Sequence, residues 1–330
     1  MTGSEPRLRL TWVQPEDLVG HELRQAAQDG RDASAIARRW AMSGGQVAPS
    51  RAGSSDRPGG PQLRALAGQL LGELALLRSP LAIDEPTGLD AIRAACPRWP
   101  VGPGSLARPQ DLTDRLHGAW LGRAAGCLLG KPVEKLMVAG IRDIARATDN
   151  WPLDTWFTEV GLPPAITQLW PWNRRSRSTS LAENINGMPE DDDLNYPLLA
   201  LLLLERHGHE FATADVAQLW LDELPAGRTF TAERVAYRNL LLGLEPPATA
   251  RYHTPCGEWS GAQTRGDVFG WTKRGDPAAP AEAAWRDAVL SHTANGVYGA
   301  MFAAAMLAAA AGGEDDGHGC LEAGLAVVAG

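Results

Sequence analysis

Four carboxylates stand side by side at Glu190, Asp191, Asp192 and Asp193, directly before the apolar run that opens Leu194-Asn195-Tyr196-Pro197-Leu198. The positive end of a helix starting there would offset part of their mutual repulsion. One carboxylate is enough to cap a helix, and four beside a buried apolar segment invite a counter-cation. Oxygen-only donors favour Mg²⁺ or Ca²⁺ over zinc. An ordinary acidic helix start accounts for the same residues, and composition leaves the two readings level.

A second stretch, DRLHGAWLGRAAGCLLGKPVEKL, repeats glycine every four residues at Gly118, Gly122, Gly126 and Gly130. An interior helical glycine costs about 1 kcal/mol relative to alanine, so a compensating close approach is expected on that face. Tight helix packing supplies it in one reading; a ligand lying against bare backbone supplies it in the other. Lys131-Pro132 ends or bends the helix and leaves Glu134 beside the glycine face, where burial would raise its pKa.

Two weaker signals follow. In Ser291-His292-Thr293, with Asn295 and Gly296 opening the next helix, a junction histidine serves either as a structural hydrogen bonder or as a functional group. In GAQTRGDVFGW, Gly261 and Ala262 could bring backbone N–H groups to an anion, with Asp267 in support. Arg174, Arg175 and Arg177 beside Trp170 and Trp172 read as a mobile exposed loop. There is no G-x-S-x-G elbow, H-E-x-x-H pair, G-x-x-x-x-G-K-[ST] loop or G-x-G-x-x-G after a strand.

The elements that must position these residues are helical. Apolar residues recur at three- and four-residue intervals over 111–131, 193–207, 213–224, 231–243, 280–290 and 294–311, and strand alternation is scarce. Upstream, 15–42 reads as a helical segment, Ser43 to Pro61 has linker composition, and Leu63, Leu66, Leu70, Leu74 and Leu77 mark another amphipathic helix. Residues 1–105 are thus expected to form a helical N-terminal extension with a flexible linker at about 43–61, able to dock on a main domain over 106–330. A Trp-rich, helix-poor connection is expected from about Asp149 to Met188.

Composition narrows the class. At 330 residues the chain holds one large domain or two ordinary ones. Its net charge of −8 works against a phosphate backbone, so no nucleic acid partner is expected. Cys96, Cys127, Cys256 and Cys320 lie far apart without C-x-x-C spacing, which suits neither zinc nor a disulfide framework and fits a reducing cytoplasm. Neither Leu198–Leu204 nor the Ala-rich stretch Gly296–Ala311 is expected to cross a bilayer.

Taken in order, the glycine-spaced helix ending in Gly130-x-Pro132-x-Glu134, the acidic run, Gly261-Ala262-x-x-Arg265 and Ser291-His292-Thr293 with its small-residue helix resemble the ADP-ribosylglycohydrolase family, of the dinitrogenase reductase-activating glycohydrolase type. The resemblance covers about 112–328. It implies a compact all-α fold, two Mg²⁺ ions in a cleft, and hydrolysis of the glycosidic bond of ADP-ribosylated side chains or related small molecules. Glu190, Asp191 and Asp192 fall on the family's Thr-Asp-Asp run of metal ligands, and Asp193 on the following Thr. Glu134 falls on its acidic residue near the end of the first helix and is the candidate acid or base. His292 falls on its ADP-ribose-contacting histidine, and Gly126, Gly130, Asp193, Gly261, Ala262 and Gly296 complete the implied substrate contacts. Gly126-Cys127 replaces the family's Gly-Asp. The family's second run, Gly-Asp-x-Asp-[ST], has no counterpart before Gly330; Glu314, Asp315 and Asp316 lead into no matching helix. The domain is therefore expected to be C-terminally incomplete, with one half-site visible. A truncated or degenerate relative with at most residual ADP-ribose or metal binding is the alternative expectation.

Overall fold

The structure, a computed structural model, describes residues 14–49, 59–100, 112–314 and 316–328. The middle of the expected linker, the expected domain start at 106–111 and Asp315 lie outside the described residues. Among the described residues there are sixteen α-helices and no strand, so the fold is all-α as the periodicity implies. In chain order they are α1 (Pro15–Gln28), α2 (Ser34–Met42), α3 (Pro61–Ala75), α4 (Leu89–Ala95), α5 (Leu112–Gly130), α6 (Val138–Ala147), α7 (Pro164–Leu169), α8 (Arg177–Ser180), α9 (Asp192–His207), α10 (Thr213–Glu223), α11 (Thr231–Leu241), α12 (Ala248–Arg251), α13 (Asp267–Thr272), α14 (Ala278–Ala288), α15 (Ala294–Gly312) and α16 (Gly317–Leu325). Backbone contacts divide the chain into two compact units, Met1–Ala107 with Tyr196–Gly330, and Arg108–Asn195.

In the first unit, the expected segment 15–42 is two helices, because Gly30 turns left-handed (φ +70°) between them. Leu18, Val19, Leu70, Leu71 and Leu74 from α1 and α3 close a core that also takes in Val235 of α11. The segment before α4 docks on the later helices: Thr87 O accepts from Trp285 Nε1 at 2.8 Å, Thr87 Oγ1 from the Ala294 N–H at 3.1 Å, and Pro86 O from the Tyr298 hydroxyl at 2.5 Å.

The alanine-rich α15 is the spine of this unit, with α13, α14 and α16 packed on it. By length and mean hydropathy, 1.4, it could cross a bilayer, but 61% of it is buried inside the protein, as in a core helix. Small residues let its neighbours approach closely; a Cβ on Gly266 would stand 2.8 Å from Ala300 O. Gly313, at φ +109°, ends it. Beyond it Asp316 Oδ1 accepts from the His318 N–H at 3.1 Å and caps α16, whose sequence GHGCLEAGL carries no Gly-Asp-x-Asp run.

The second unit encloses a smaller core of Val133, Ile144, Phe157, Leu162, Trp172 and Leu181. The Trp-rich connection folds around it with only the short α7 and α8. Buried Asn150 braces the connection, accepting from the Asp154 and Thr155 N–H groups (3.2 and 3.3 Å) and donating to Thr155 O (3.1 Å). Arg177 is exposed and forks onto Glu159 at 2.6–3.0 Å.

Candidate metal centre and buried ionic cluster

The second unit brings part of the expected site together. At the start of α9, Asp191 is the N-cap, its Oδ1 accepting from the Asp193 N–H at 3.1 Å. Its Oδ2 pairs with Lys131 Nζ, and that ammonium also reaches Glu190 O at 3.4 Å. The ligand atoms of Cys127, Asp191 and Asp193 all lie within 4.8 Å of one another. One carboxylate thus both caps α9 and carries the Lys131 ammonium.

The electrostatics follow from crowding. Burial, then the neighbouring charges of Asp191 and Asp193, push the Cys127 thiol well up. Burial and the same two carboxylates push Asp192 up to about 7. Burial also opposes ionisation of Asp191, but the bonds from Lys131 and the Asp193 N–H hold its carboxyl below the usual range.

Among the expected ligands, Asp191 belongs to this group, whereas Glu190 Oε1 accepts from Asn195 Nδ2 at 2.7 Å and Asp192 stands outside the donor cluster. Asp193, expected to contact substrate, is inside it. Sequence reasoning missed Cys127, Lys131 and Arg123 as parts of the centre. Their signal was available: Arg123, Cys127 and Lys131 recur every four residues, one helix face next to the glycine face.

Glu134 is exposed, not buried beside the glycines, because it leaves the single turn Lys131–Val133 in extended backbone. Its Oε2 accepts from Asn173 Nδ2 at 2.7 Å. The turn itself is fixed by Ser176 Oγ donating to Lys131 O (2.7 Å) and Asn173 N–H to Pro132 O (3.0 Å). One turn thus carries both the cation on Asp191 and Glu134. Tight helix packing, one of the two readings of Gly118, Gly122, Gly126 and Gly130, is not found among the described residues; outside the local helix backbone a Cβ at any of them meets none of their atoms within 4 Å.

The remaining expected residues lie in the first unit, around a buried guanidinium. Arg265 donates to Asp287 Oδ2 (2.5 Å), Glu233 Oε1 (2.9 Å) and Ser291 Oγ (3.1 Å), beneath the rings of Trp220 and Tyr196. Ser291 Oγ, which accepts from Arg265, shares a hydrogen bond with His292 Nδ1 at 2.8 Å, and His292 Nε2 lies 3.8 Å from Glu233 Oε1. His292 is 0% exposed, and burial, reinforced by Arg265, holds its pKa far below the ordinary value. Packing requires glycine at 261 and 296, since a Cβ would overlap Glu233 Oε1 at the first and Gly257 O at the second. Ala262 is fully buried.

A cleft of about 210 Å³ in the same unit, lined by His209, Lys273 and Arg286 among others, contains none of these residues. Three of its polar side chains are engaged: Asp276 caps α14, Glu282 pairs with Arg93, and Arg286 donates to His209 O and Phe211 O.

The Mg²⁺ implied by resemblance is a hard ion that takes oxygen donors in near-octahedral geometry. The group at α5 and α9 offers two carboxylates and a sulfur, and the sulfur is a soft donor that Mg²⁺ does not take. This donor set does not fit Mg²⁺. All four cysteines are free thiols.

No curated protein and no solved structure matches the chain. Residues 108–330 match the family described as ADP-ribosylglycohydrolase, whose all-α architecture agrees with the sixteen helices. This chain belongs to the ADP-ribosylglycohydrolase family.

Proposed function

We propose that the chain hydrolyses the glycosidic bond joining ADP-ribose to a modified protein side chain or a related small molecule. Family membership supplies the reaction class. The observation that carries the reading is the turn Lys131–Val133, which ties Glu134 to the carboxylates at the start of α9. Two residues lie between Lys131 and Glu134, a Cα span of at most about 11 Å, so both ends can face one sugar.

The oxygen of a water bonds to the anomeric carbon, the glycosidic bond breaks with its electron pair on the leaving atom, that atom takes up a proton as the water gives one up, and free ADP-ribose is released. The transition state has oxocarbenium character, which anionic groups stabilise and which an acid or base assists. Glu134, solvent-accessible and oriented by Asn173, is the residue for proton transfer. The open backbone at Gly126 and Gly130 lets a ligand lie against α5. His292, Gly261, Ala262 and Gly296 hold their own unit in shape, and any part they take in substrate binding is through that support.

A second reading, that the chain is a non-catalytic relative, has its own observation: Asp191 and Asp193 each face a cation supplied by the protein. Release of ADP-ribose from an ADP-ribosyl-arginine substrate separates the two. Turnover that drops at least 100-fold in Glu134→Gln, with the fold intact, supports hydrolysis; no release at any enzyme concentration overturns it.

A further inference from the structure

We propose that Cys127, Asp191 and Asp193 hold a sulfur-binding divalent ion such as Zn²⁺ in preference to Mg²⁺, the ion displacing Lys131 from Asp191. The inference rests on reading the start of α9 as the cation-binding part of the site. It departs from what the family implies, because the protein's own donors do.

The geometry begins with Cys127. It is 7% exposed, on the last turn of α5, with its sulfur turned into the group formed with two carboxylates. Thiolate is a soft donor that selects zinc and similar ions, whereas Mg²⁺ keeps its waters and binds oxygen. The three donor atoms lie within 4.8 Å of one another. Sulfur–zinc and oxygen–zinc bonds of about 2.3 and 2.0 Å bring donors to within roughly 4 Å of one another, so small side-chain rotations close the set.

The second observation is the cation already in place. Lys131 Nζ lies on Asp191 Oδ2, its side chain mostly buried, and also reaches the Glu190 carbonyl. The acidic group has organised a positive charge on the side from which an ion would bind Asp191. A monovalent ammonium competes poorly with a divalent ion that also bonds sulfur. As the ion binds, the Cys127 S–H proton leaves to solvent, the sulfur–metal bond forms, and Lys131 keeps its charge and turns to water.

Cobalt(II) reads the site directly, since a Co²⁺–thiolate bond gives a near-ultraviolet charge-transfer band independent of turnover. Metal-stripped full-length protein should show this band on adding Co²⁺. Zn²⁺ should abolish it at equal concentration, and a 100-fold excess of Mg²⁺ should not. Cys127→Ser should remove the band, Cys127→Asp should let Mg²⁺ compete, and Lys131→Met should tighten Co²⁺ binding about tenfold. If Cys127→Ser fails to fold, Asp193→Asn in the Cys127 background should weaken Co²⁺ binding at least tenfold while keeping the band. Co²⁺ binding without the band, a band that survives Cys127→Ser through Cys96, Cys256 or Cys320, or Mg²⁺ displacing Co²⁺ at equal concentration overturns the proposal. An inactive protein that still shows the band refutes the hydrolase and not the metal.

Discussion

Arg123 Nε donates to the carbonyl oxygen of Asp193 at 2.8 Å, the carbonyl that Pro197 deprives of its helical partner. A proline at the sixth residue of α9 has no N–H for the oxygen four residues back, and such an orphan acceptor costs free energy unless another donor fills it. Arg123 fills it. Arg123→Met should therefore destabilise the protein by about 1–2 kcal/mol, and by much less when Pro197→Ala restores the helical donor. A double-mutant cycle in urea unfolding measures the coupling, expected at 0.5 kcal/mol or more. Strict additivity would show that Arg123 does not depend on the proline.

Arg265 sits between two buried carboxylates, so its loss leaves Glu233 and Asp287 without their counter-ion. Removing one partner of a buried ion pair typically costs about 3–5 kcal/mol. Arg265→Met should fall in that range by denaturant unfolding. Arg265→Lys should recover only part of the loss, because an ammonium cannot reproduce the planar fork that serves Asp287, Glu233 and Ser291 together. A loss below about 1 kcal/mol would mean the cluster contributes little to stability.

His292 makes stability depend on pH in a definite direction. Its ordinary pKa is 6.5 and burial holds the folded value far lower. The unfolded chain thus takes up a proton below pH 6.5 that the native chain refuses. Stability from the neutral ring is complete above 6.5 and is lost as pH falls toward the folded value, at up to about 1.4 kcal/mol per pH unit. Glu233 and Asp287, both raised by burial against the pull of Arg265, act in the opposite sense. Comparison of variants isolates the histidine: between pH 6.5 and 5, wild type should lose up to about 2 kcal/mol more than His292→Gln. Equal losses would show that His292 titrates as freely as in an unfolded chain.

Helix identity was legible in the sequence because 3.6-residue periodicity survives whatever the helix packs on. The segments 193–207, 213–224 and 294–311 are each helical within one residue of their expected limits. What escaped was short or irregular: α4, α7, α8, α12 and α13 span four to seven residues, too few turns to show a period. Asp191 could be placed because capping and cation binding both demand an acid there. Cys127 was passed over because a thiol on a helix reads as core until the carboxylates facing it are known, although its four-residue spacing from Arg123 and Lys131 marks their shared face. Glu134 was expected under cover because it follows a glycine face, and the turn after Pro132 swings it into solvent.

The glycines separate packing from binding. At Gly296 a Cβ would overlap Gly257 O and stand 2.9 Å from His292 Cδ2 and 3.1 Å from Glu258 Cα. Backbone atoms yield little, so Gly296→Ala should destabilise by about 1–3 kcal/mol. Gly122 and Gly126 in α5 face open space, and alanine at either should stabilise the helix by up to about 1 kcal/mol. Stability alone gives no reason for glycine at 126. If the ADP-ribosyl group lies against that backbone, Gly126→Ala should raise KM several-fold while the melting temperature rises, and Gly122→Ala should raise only the melting temperature. Steady-state kinetics on ADP-ribosyl-arginine beside thermal unfolding reads both quantities. A KM unchanged in Gly126→Ala would place the ligand elsewhere.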